Sequence, residues 1–491
     1  MEFMMMLLSG LVTIFLAYAL ALAFNIVRYH PFLKSGVAGM PPGSLGLPLL
    51  GQTLELLRCF NDEKPDLIWR KRTSSSNFKG LFRTHLFGQP TICITTPELA
   101  KGVLMNYKKF GPELAKGVLM NYKKFGVGWP KSFTKLVGGK SFLSMAGESH
   151  KRLRYSIYNE LNYTQVHALG PAESDHQDIE RMDKERRALQ LSFNIIAKTI
   201  LSYEPGKEVD AFGMEVHLLN LALRSLAINL PGIPYNRARS QDQTKARRRL
   251  HSRLQSIIHA RRDGVVQQAS NPDILDIMMQ SKDEAGEGLQ DEEIIDTILA
   301  FMLAGHETTA HSIVWVMYFL QKHPQALQKL KEEHQQMPKG KIGSLSVSDF
   351  KAMNFMSRVI DETLRIINLS PFTFRKAMED VELNESTIPK GWSVQLWFRA
   401  IHLDPSTFPN PYTFNPDRWI DCKPKLGAYV PFGAGARGCP GSDFAKLQIS
   451  AMIHHLILNY RWEPINPCPK IKYLPHPKPA DGYIVRFFAI K

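Results

Sequence analysis

Cysteine is scarce in this chain: there are five in 491 residues, Cys59, Cys93, Cys422, Cys439 and Cys468, odd in number and scattered. That excludes a disulfide framework and favours a reducing compartment. Compositional extremes are missing too, with 44% hydrophobic and 22% charged residues, which excludes disordered, collagenous and disulfide-scaffold classes and leaves a folded enzyme as the leading one. The length suits one large enzyme domain as well as several average ones. Acidic excess is absent: 61 Lys and Arg against 46 Asp and Glu give +15, which points to an acidic partner such as nucleic acid, anionic lipid or an acidic protein.

Long apolar runs are missing except at the amino terminus. Met4 to Val27 carries no charge and at about 1.5 Å per residue can cross a bilayer core of about 30 Å. A cleaved signal would have a shorter apolar core, of roughly 7–15 residues, so a transmembrane helix is expected. Arg28, His30 and Lys34 follow it while only Glu2 precedes it, an asymmetry that leaves the rest of the chain in the cytosol. Met40-Pro41-Pro42-Gly43-Ser44-Leu45-Gly46-Leu47-Pro48 then reads as a stiff non-helical connector between the anchor and the body.

Repeats are absent apart from one: residues 97–111, PELAKGVLMNYKKFG, recur letter for letter as 112–126. Each unit reads as a short helix with proline in its first turn and glycine as its stop. Two units are too few for a solenoid, so one copy is expected to be an extra surface insertion. A basic stretch, Arg237, Arg239, Lys245, Arg247, Arg248, Arg249, Arg253, Arg261 and Arg262, runs beside Ala246, Leu250, Leu254, Ile257 and Ile258 at helical spacing. It lacks interleaved aromatics or a reading motif, so no nucleic acid is expected; a solvated face near an anionic membrane is.

The chemistry lies further on. A long helix is expected from Asp291 to Lys322, its apolar pattern broken by Ala304-Gly305-His306-Glu307-Thr308-Thr309. A carboxylate and hydroxyls in mid-helix are costly unless paired or used. The small Ala304-Gly305 pair lets a partner approach closely, beside groups able to relay protons. His306 and His311 are five positions apart and diverge by about 140° around the helix, so they cannot grip one zinc ion as a zinc-protease motif does. Glu362 and Arg365 share a helix face, and Arg418 offers a second guanidinium to the same carboxylate. Finally Phe432-Gly433-Ala434-Gly435-Ala436-Arg437-Gly438-Cys439-Pro440-Gly441 presents one cysteine from a glycine-rich loop ahead of a helix. Helix amides and an arginine stabilise a thiolate, and with no second Cys or His nearby structural zinc is excluded. The candidate left is an iron porphyrin with one thiolate ligand.

The pattern FxxGxRxCxG at Phe432 to Gly441, AGxET at Ala304 to Thr308 and ExxR at Glu362 and Arg365, in this order, resembles a cytochrome P450, and the resemblance covers the chain apart from the duplicated block. It implies a mainly α fold with a small β region, with residues 1–35 as the membrane anchor and 36–491 as the haem-thiolate monooxygenase domain. Residue by residue it implies Cys439 as axial ligand of haem b, and Arg154, Arg375 and Arg437 as propionate partners. His150 stands where many members have tryptophan. Glu307 and Thr308 would be the acid and alcohol supplying protons for dioxygen activation. Glu362, Arg365 and Arg418 would form a structural network, and Ala304, Gly305, Phe372 and Phe374 would line the substrate pocket. Electrons would come from NADPH through NADPH-cytochrome P450 reductase at the endoplasmic reticulum membrane. Gly128-Trp129-Pro130-Lys131-Ser132, Ile388-Pro389-Lys390-Gly391-Trp392 and Leu474-Pro475-His476 are similar to the plant group of ent-kaurenoic acid and triterpene oxidases, implying an apolar terpenoid substrate. Two other readings stay open, a haem isomerase or dehydratase that uses no dioxygen and a non-catalytic haem-binding protein. Cytosolic placement implies that the sequons at Asn162, Asn368 and Asn384 stay unmodified.

Overall fold

The computed structural model describes residues 5–6, 8–20, 23, 40–46, 51–73, 78–105, 124–129, 131–147, 149–150, 152–154, 184–224, 234–264, 272–282, 286–336, 346–473 and 476–490. Residues 8–20 are helical and exposed, but among the described residues no helix is long and apolar enough to cross a membrane. The carboxyl end of the expected span, residues 24–27, lies outside them.

Helices α1 (Thr53–Asn61) and α2 (Leu67–Thr73) precede a hairpin of β1 (Leu81–Leu86) and β2 (Gln89–Ile94). Its turn residues Phe87 and Gly88 both have positive φ, 53° and 76°, which matches the right-handed twist of the two strands. Helix α3 (Pro97–Met105), edge strand β3 (Phe125–Val127) and helix α4 (Lys131–Val137) follow. After β4 (Thr373–Ala377), β5 (Val381–Leu383), β6 (Ser386–Ile388) and β7 (Ser393–Leu396), the main sheet has the order β1-β2-β7-β4-β3. Only the β2–β7 pair is parallel, Thr91 opposite Ser393. The proline-rich connector is part of this body: Arg83 N–H donates to Pro42 O at 2.8 Å, and Gly43 bridges to Arg83 so closely that a Cβ there would lie 2.2 Å from its carbonyl oxygen.

The two ends of the repeat block supply different elements. The first forms α3, whose Leu99, Ala100, Val103 and Leu104 pack on the sheet. The last residues of the second, Phe125 and Gly126, open β3 and pair with Ala377 and Lys376. Helix α3 and strand β3 thus come from opposite ends of the block, and the expected surplus copy would fall between them. Residues 106–123 lie outside the described ones.

The helical part is built on α9 (Asp291–Lys322), reached through α5 (Lys184–Leu201), α6 (Lys207–Arg224), α7 (Pro234–Arg262) and α8 (Ile274–Gln280). Acidic residues fill its first turn, Gln290 N–H donates to Glu293 Oε2 at 2.9 Å, and Pro324 follows its end. Its amino half buries Ile294 and Ile298 against Phe193, Phe212, Leu250 and Ile274. The carboxyl half buries Val314 and Val316 against α10 (Pro324–Gln335), α11 (Val347–Ala352), α12 (Asn354–Ile367) and, after α13 (Phe398–His402) and α14 (Arg418–Asp421), α15 (Ser442–Asn459). Strands β8 (Tyr460–Pro464) and β11 (Val485–Ala489) pair beside this core, with the short β9 (Ile471–Lys472) and β10 (Lys478–Pro479) between them.

The basic stretch is α7; Arg247 and Arg261 are turned inward, whereas Arg249 and Arg262 form ion pairs while staying exposed. Arg247 is bound by Asp296, Arg249 by Glu215, Arg261 by Asp273 and Asp276, and Arg262 by Asp291. Four of the nine cations therefore clamp neighbouring helices. That narrows the expected solvated face, because sequence spacing shows which side a residue takes but not which acids meet it there.

Candidate active site

Cys439 leaves the loop ahead of α15. Positive-φ glycines Gly433 and Gly435, both at 69°, fold the preceding residues into a tight bulge, closed by Cys439 N–H donating to Phe432 O at 2.7 Å. The residue keeps exposed surface yet is closely surrounded by protein. That crowding pushes its thiol up, while the Gly441 amide at Sγ and the Arg154 charge pull it down. A bound cation would shift the balance fully to thiolate.

Around this loop the structure gathers His150, Arg154, Arg375 and Arg437, which come from three distant stretches of chain. Arg154 donates to Gly438 O at 2.7 Å, next to the cysteine. Arg437 donates to Phe142 O at 3.1 Å and to Met145 O, and Arg375 to Phe374 O at 2.8 Å. Arg152 grips Glu293 with both contacts from one nitrogen, at 2.7 and 2.9 Å, tying the helical turn 152–154 to the start of α9. Burial and the charges of Arg437, Arg154 and Arg375 push His150 down to about 3, so it is neutral. Burial and Arg437 lower Arg375 to about 10. Among the described residues the charges that act on His150 and Arg375 are positive, an arrangement that is favourable around a polyanion.

On α9 the buried surface is interrupted by a stripe. Ala304 is exposed, and Phe301, Gly305 and Thr308 are partly so, while Met302, Leu303, His306, Glu307 and Thr309 are buried. Spacings of three and four residues put the stripe on one face. Thr308 lies on it, its Oγ1 donating to Ala304 O at 2.8 Å. The glycine has a second reason beyond ligand approach, since a Cβ on Gly305 would meet Ile196 of α5 at 2.9 Å. His306 turns towards α5, with Nδ1 against Met302 O at 2.7 Å and its ring edge-on to Phe193. His311 points elsewhere, its ring 6.2 Å from that of His476. Glu307 faces α6, where His217 Nδ1 lies 3.8 Å from its Oε1. No motif marks His217, and sequence reasoning missed it.

Glu362, Arg365 and Arg418 are brought together as one network. Arg365 pairs with Glu362 through two contacts of 2.9 Å. Arg418 Nε and the Asn415 amide both donate to Glu362 Oε1, at 2.8 and 3.0 Å, and Arg365 also donates to His402 O and Pro411 O. Phe372 stands in an aromatic cluster with Phe60 and Trp397 and meets Phe374 edge-on at 5.5 Å; Phe374 in turn touches Trp129 and Phe87. Trp129 stacks on Phe133 at 4.3 Å. The glycine before Trp129 is required, because a Cβ on Gly128 would lie 2.4 Å from the Arg375 backbone.

One soft donor with arginines gathered around its loop, in a chain whose long helix α9 opens a face at Ala304, Gly305 and Thr308, points to a haem-thiolate protein. The side chains present fit haem b: Cys439 would ligate the iron, and Arg154, Arg375 and Arg437 would hold its propionates. Comparison with known proteins agrees, for the cytochrome P450 family model matches residues 41–480. The chain belongs to the cytochrome P450 family and is an oxidoreductase of the monooxygenase type. It is 39% identical to ent-kaurenoic acid oxidase 1 of Arabidopsis thaliana, over 94% of this chain and 93% of that one. It is 36% identical to ent-kaurenoic acid oxidase of Oryza sativa subsp. japonica, over 93% and 90%, and 33% identical to beta-amyrin 11-oxidase of Glycyrrhiza uralensis, over 92% and 91%. The fold is that of the retinoic acid-bound cyanobacterial CYP120A1, with TM-score 0.77 and 24% identity over 92% of this chain and 100% of that one.

Proposed function

We propose that this protein hydroxylates an apolar terpenoid, or oxidises it in successive rounds, with dioxygen and electrons from NADPH delivered by NADPH-cytochrome P450 reductase. The substrate is a diterpenoid such as ent-kaurenoic acid or a triterpenoid; the relatives named as oxidases of such compounds support this. Each round converts substrate C–H, O2, NADPH and a proton into C–OH, water and NADP+. The observation that carries the reading is the cluster of three arginines, Arg154, Arg375 and Arg437, gathered with neutral His150 around the Cys439 loop. A membrane anchor at residues 1–35, single-pass in the endoplasmic reticulum with the body in the cytosol, goes with it.

Haem bound here would supply the oxidising chemistry. The chain's own groups bind, orient and move protons. Arg154, Arg375 and Arg437 would neutralise two carboxylates, and neutral His150 would donate a hydrogen bond beside them. Ala304 leaves room on the α9 face, and Thr308 presents a hydroxyl there, with Glu307 as the acid that renews its proton. Phe374 and Trp129 would exclude water from the substrate side. Haem-loaded protein with reductase and a panel of diterpenoids and triterpenoids tests the reading: product should form only with both NADPH and O2. Conversion without O2 would favour an isomerase or dehydratase, and no conversion of any compound a non-catalytic haem protein.

A further inference from the structure

The reading of Glu307 as the proton-supplying acid raises a problem of access. Its side chain is 3% exposed in the middle of α9, so it cannot draw protons from bulk water directly. Thr308 follows it by about 100° around the helix and lies on the open stripe, while Glu307 faces α6. Acid and alcohol thus look in different directions, and the acid needs a supply from behind.

We propose that His217 of α6 is the positioning residue through which Glu307 exchanges protons with solvent; the inference rests on that reading of Glu307. Its side chain is 47% exposed while its Nδ1 lies 3.8 Å from Glu307 Oε1. It shares the outer face of α6 with Met214 and Leu218, 71% and 40% exposed, so one ring edge meets water and the other the acid. No other described titratable group near Glu307 holds that position. His306, on the same helix, is buried, with Nδ1 against Met302 O, and burial pushes its ring down from the ordinary imidazole range. His311 is buried one turn further on. On α6 the neighbouring acid Glu215 is turned to α7 and bound by Arg249.

The chemistry suits the task. An imidazole changes charge near neutral pH and can take a proton on one ring nitrogen while releasing one from the other. The Nδ1–H bond breaks as an O–H bond forms on the Glu307 carboxylate. The ring gains a proton from solvent on Nε2 as it loses the one on Nδ1; Glu307 then gives up a proton on the Thr308 side and returns to carboxylate, and the exposed ring turns to water and exchanges tautomers there, which restores Nδ1–H. The chain ends unchanged, and the proton consumed in each round is the one that left solvent. At 3.8 Å the pair is beyond direct hydrogen-bond range, so a bridging water or a small rotation of the exposed ring completes the contact.

The test uses the full-length haem protein with reductase, NADPH and ent-kaurenoic acid as probe. Peroxide released per NADPH is read in H2O and D2O between about pH 5.5 and 8.5, whether or not the probe is turned over. His217→Asn keeps a donor near the Nδ1 position but cannot carry a proton. It should retain the haem spectrum, raise the peroxide share about threefold or more, enlarge the solvent isotope effect and flatten the pH dependence near neutrality. His217→Lys should restore a cation beside Glu307 without restoring that pH dependence. Glu307→Gln should uncouple as well, and adding His217→Asn to it should change nothing more. Wild-type coupling and pH profile in His217→Asn, with Glu307→Gln uncoupled, would overturn the inference and leave the acid in place. Wild-type coupling in Glu307→Gln would remove the acid and, with it, the role of His217. If His217→Asn lost haem while His217→Lys regained both haem and the full pH profile, the histidine would be only a structural charge and the proposal would fail.

Discussion

At the scale of single residues the cysteine and the alcohol make separable claims. Cys439→Ser should lose the thiolate-type carbon-monoxide spectrum of the reduced protein, because a hydroxyl is a far poorer ligand for a soft metal centre; reduced difference spectra check this. Thr308→Ala removes a hydroxyl that donates to Ala304 O on the exposed stripe. It should keep haem but raise peroxide per NADPH several-fold, roughly the size expected for loss of a proton relay; peroxide and NADPH stoichiometry reads the outcome. Residue identity also settles one of the sequons. Asn368 is the left-handed cap of α12, buried, with its side-chain amide donating to Arg365 O, so in the folded protein it cannot accept a glycan. Asn384 is exposed and is the better reporter of topology: cytosolic placement requires that endoglycosidase leaves its mass unchanged. Asn162 lies outside the described residues.

At the scale of elements two buried polar contacts carry the consequences. Glu362 holds Arg365 and Arg418 together between α12 and the segment leading to the cysteine loop. Glu362→Gln leaves two guanidiniums short of charge, and removing one partner of a buried ion pair typically costs about 3–5 kcal/mol. Thermal melts should show that loss, with less haem retained. Between α10 and α15, His334 and His454 meet Nδ1 to Nδ1 at 2.6 Å in the core, a contact that needs one ring to donate and the other to accept. Burial and the neighbouring His454 push His334 down to about 3. The unfolded chain, with an ordinary imidazole near 6.5, therefore binds more protons than the folded one between those values. Stability should be complete above about pH 6.5 and fall as the pH drops towards 3. Urea midpoints across that range should show a shallower slope in His334→Gln.

At the scale of the whole molecule the helical fold and the loop around Cys439 were legible in sequence, for a definite reason. Glycines, a lone thiol and the ExxR spacing are local devices whose geometry is set within a few residues. The cationic cluster was legible only through family resemblance, since His150, Arg375 and Arg437 converge through packing of distant segments. His217 left no local mark, because its meaning comes from α6 crossing α9. The acids that pair with Arg247 and Arg261 of α7 were invisible for the same reason. The repeat adds a prediction at this scale. Removing fifteen residues from 97–126 leaves one copy to supply both α3 and β3. Loop-closure entropy changes by only about 1 kcal/mol, so that variant should load haem at least as well and turn over at least as fast. Haem content and turnover of the two forms, side by side, decide it; a loss of either where the parent is active would make the longer segment integral.

Because the copies are letter-identical, any fifteen-residue excision inside the block yields one and the same polypeptide, and the chain itself faces a problem of register. Residues 97–105 and 112–120 have the same sequence and the same inherent claim on the α3 site. What separates them is what borders them. Thr96 precedes the first copy, and its carbonyl accepts from Ala100 N–H at 3.0 Å; Gly111 precedes the second. At the other end only the second copy runs on into Val127, which pairs with Arg375. The Thr96 carbonyl contact and the Val127–Arg375 pairing therefore act as punctuation, one at each end of the block, that assigns α3 to the first copy and β3 to the second.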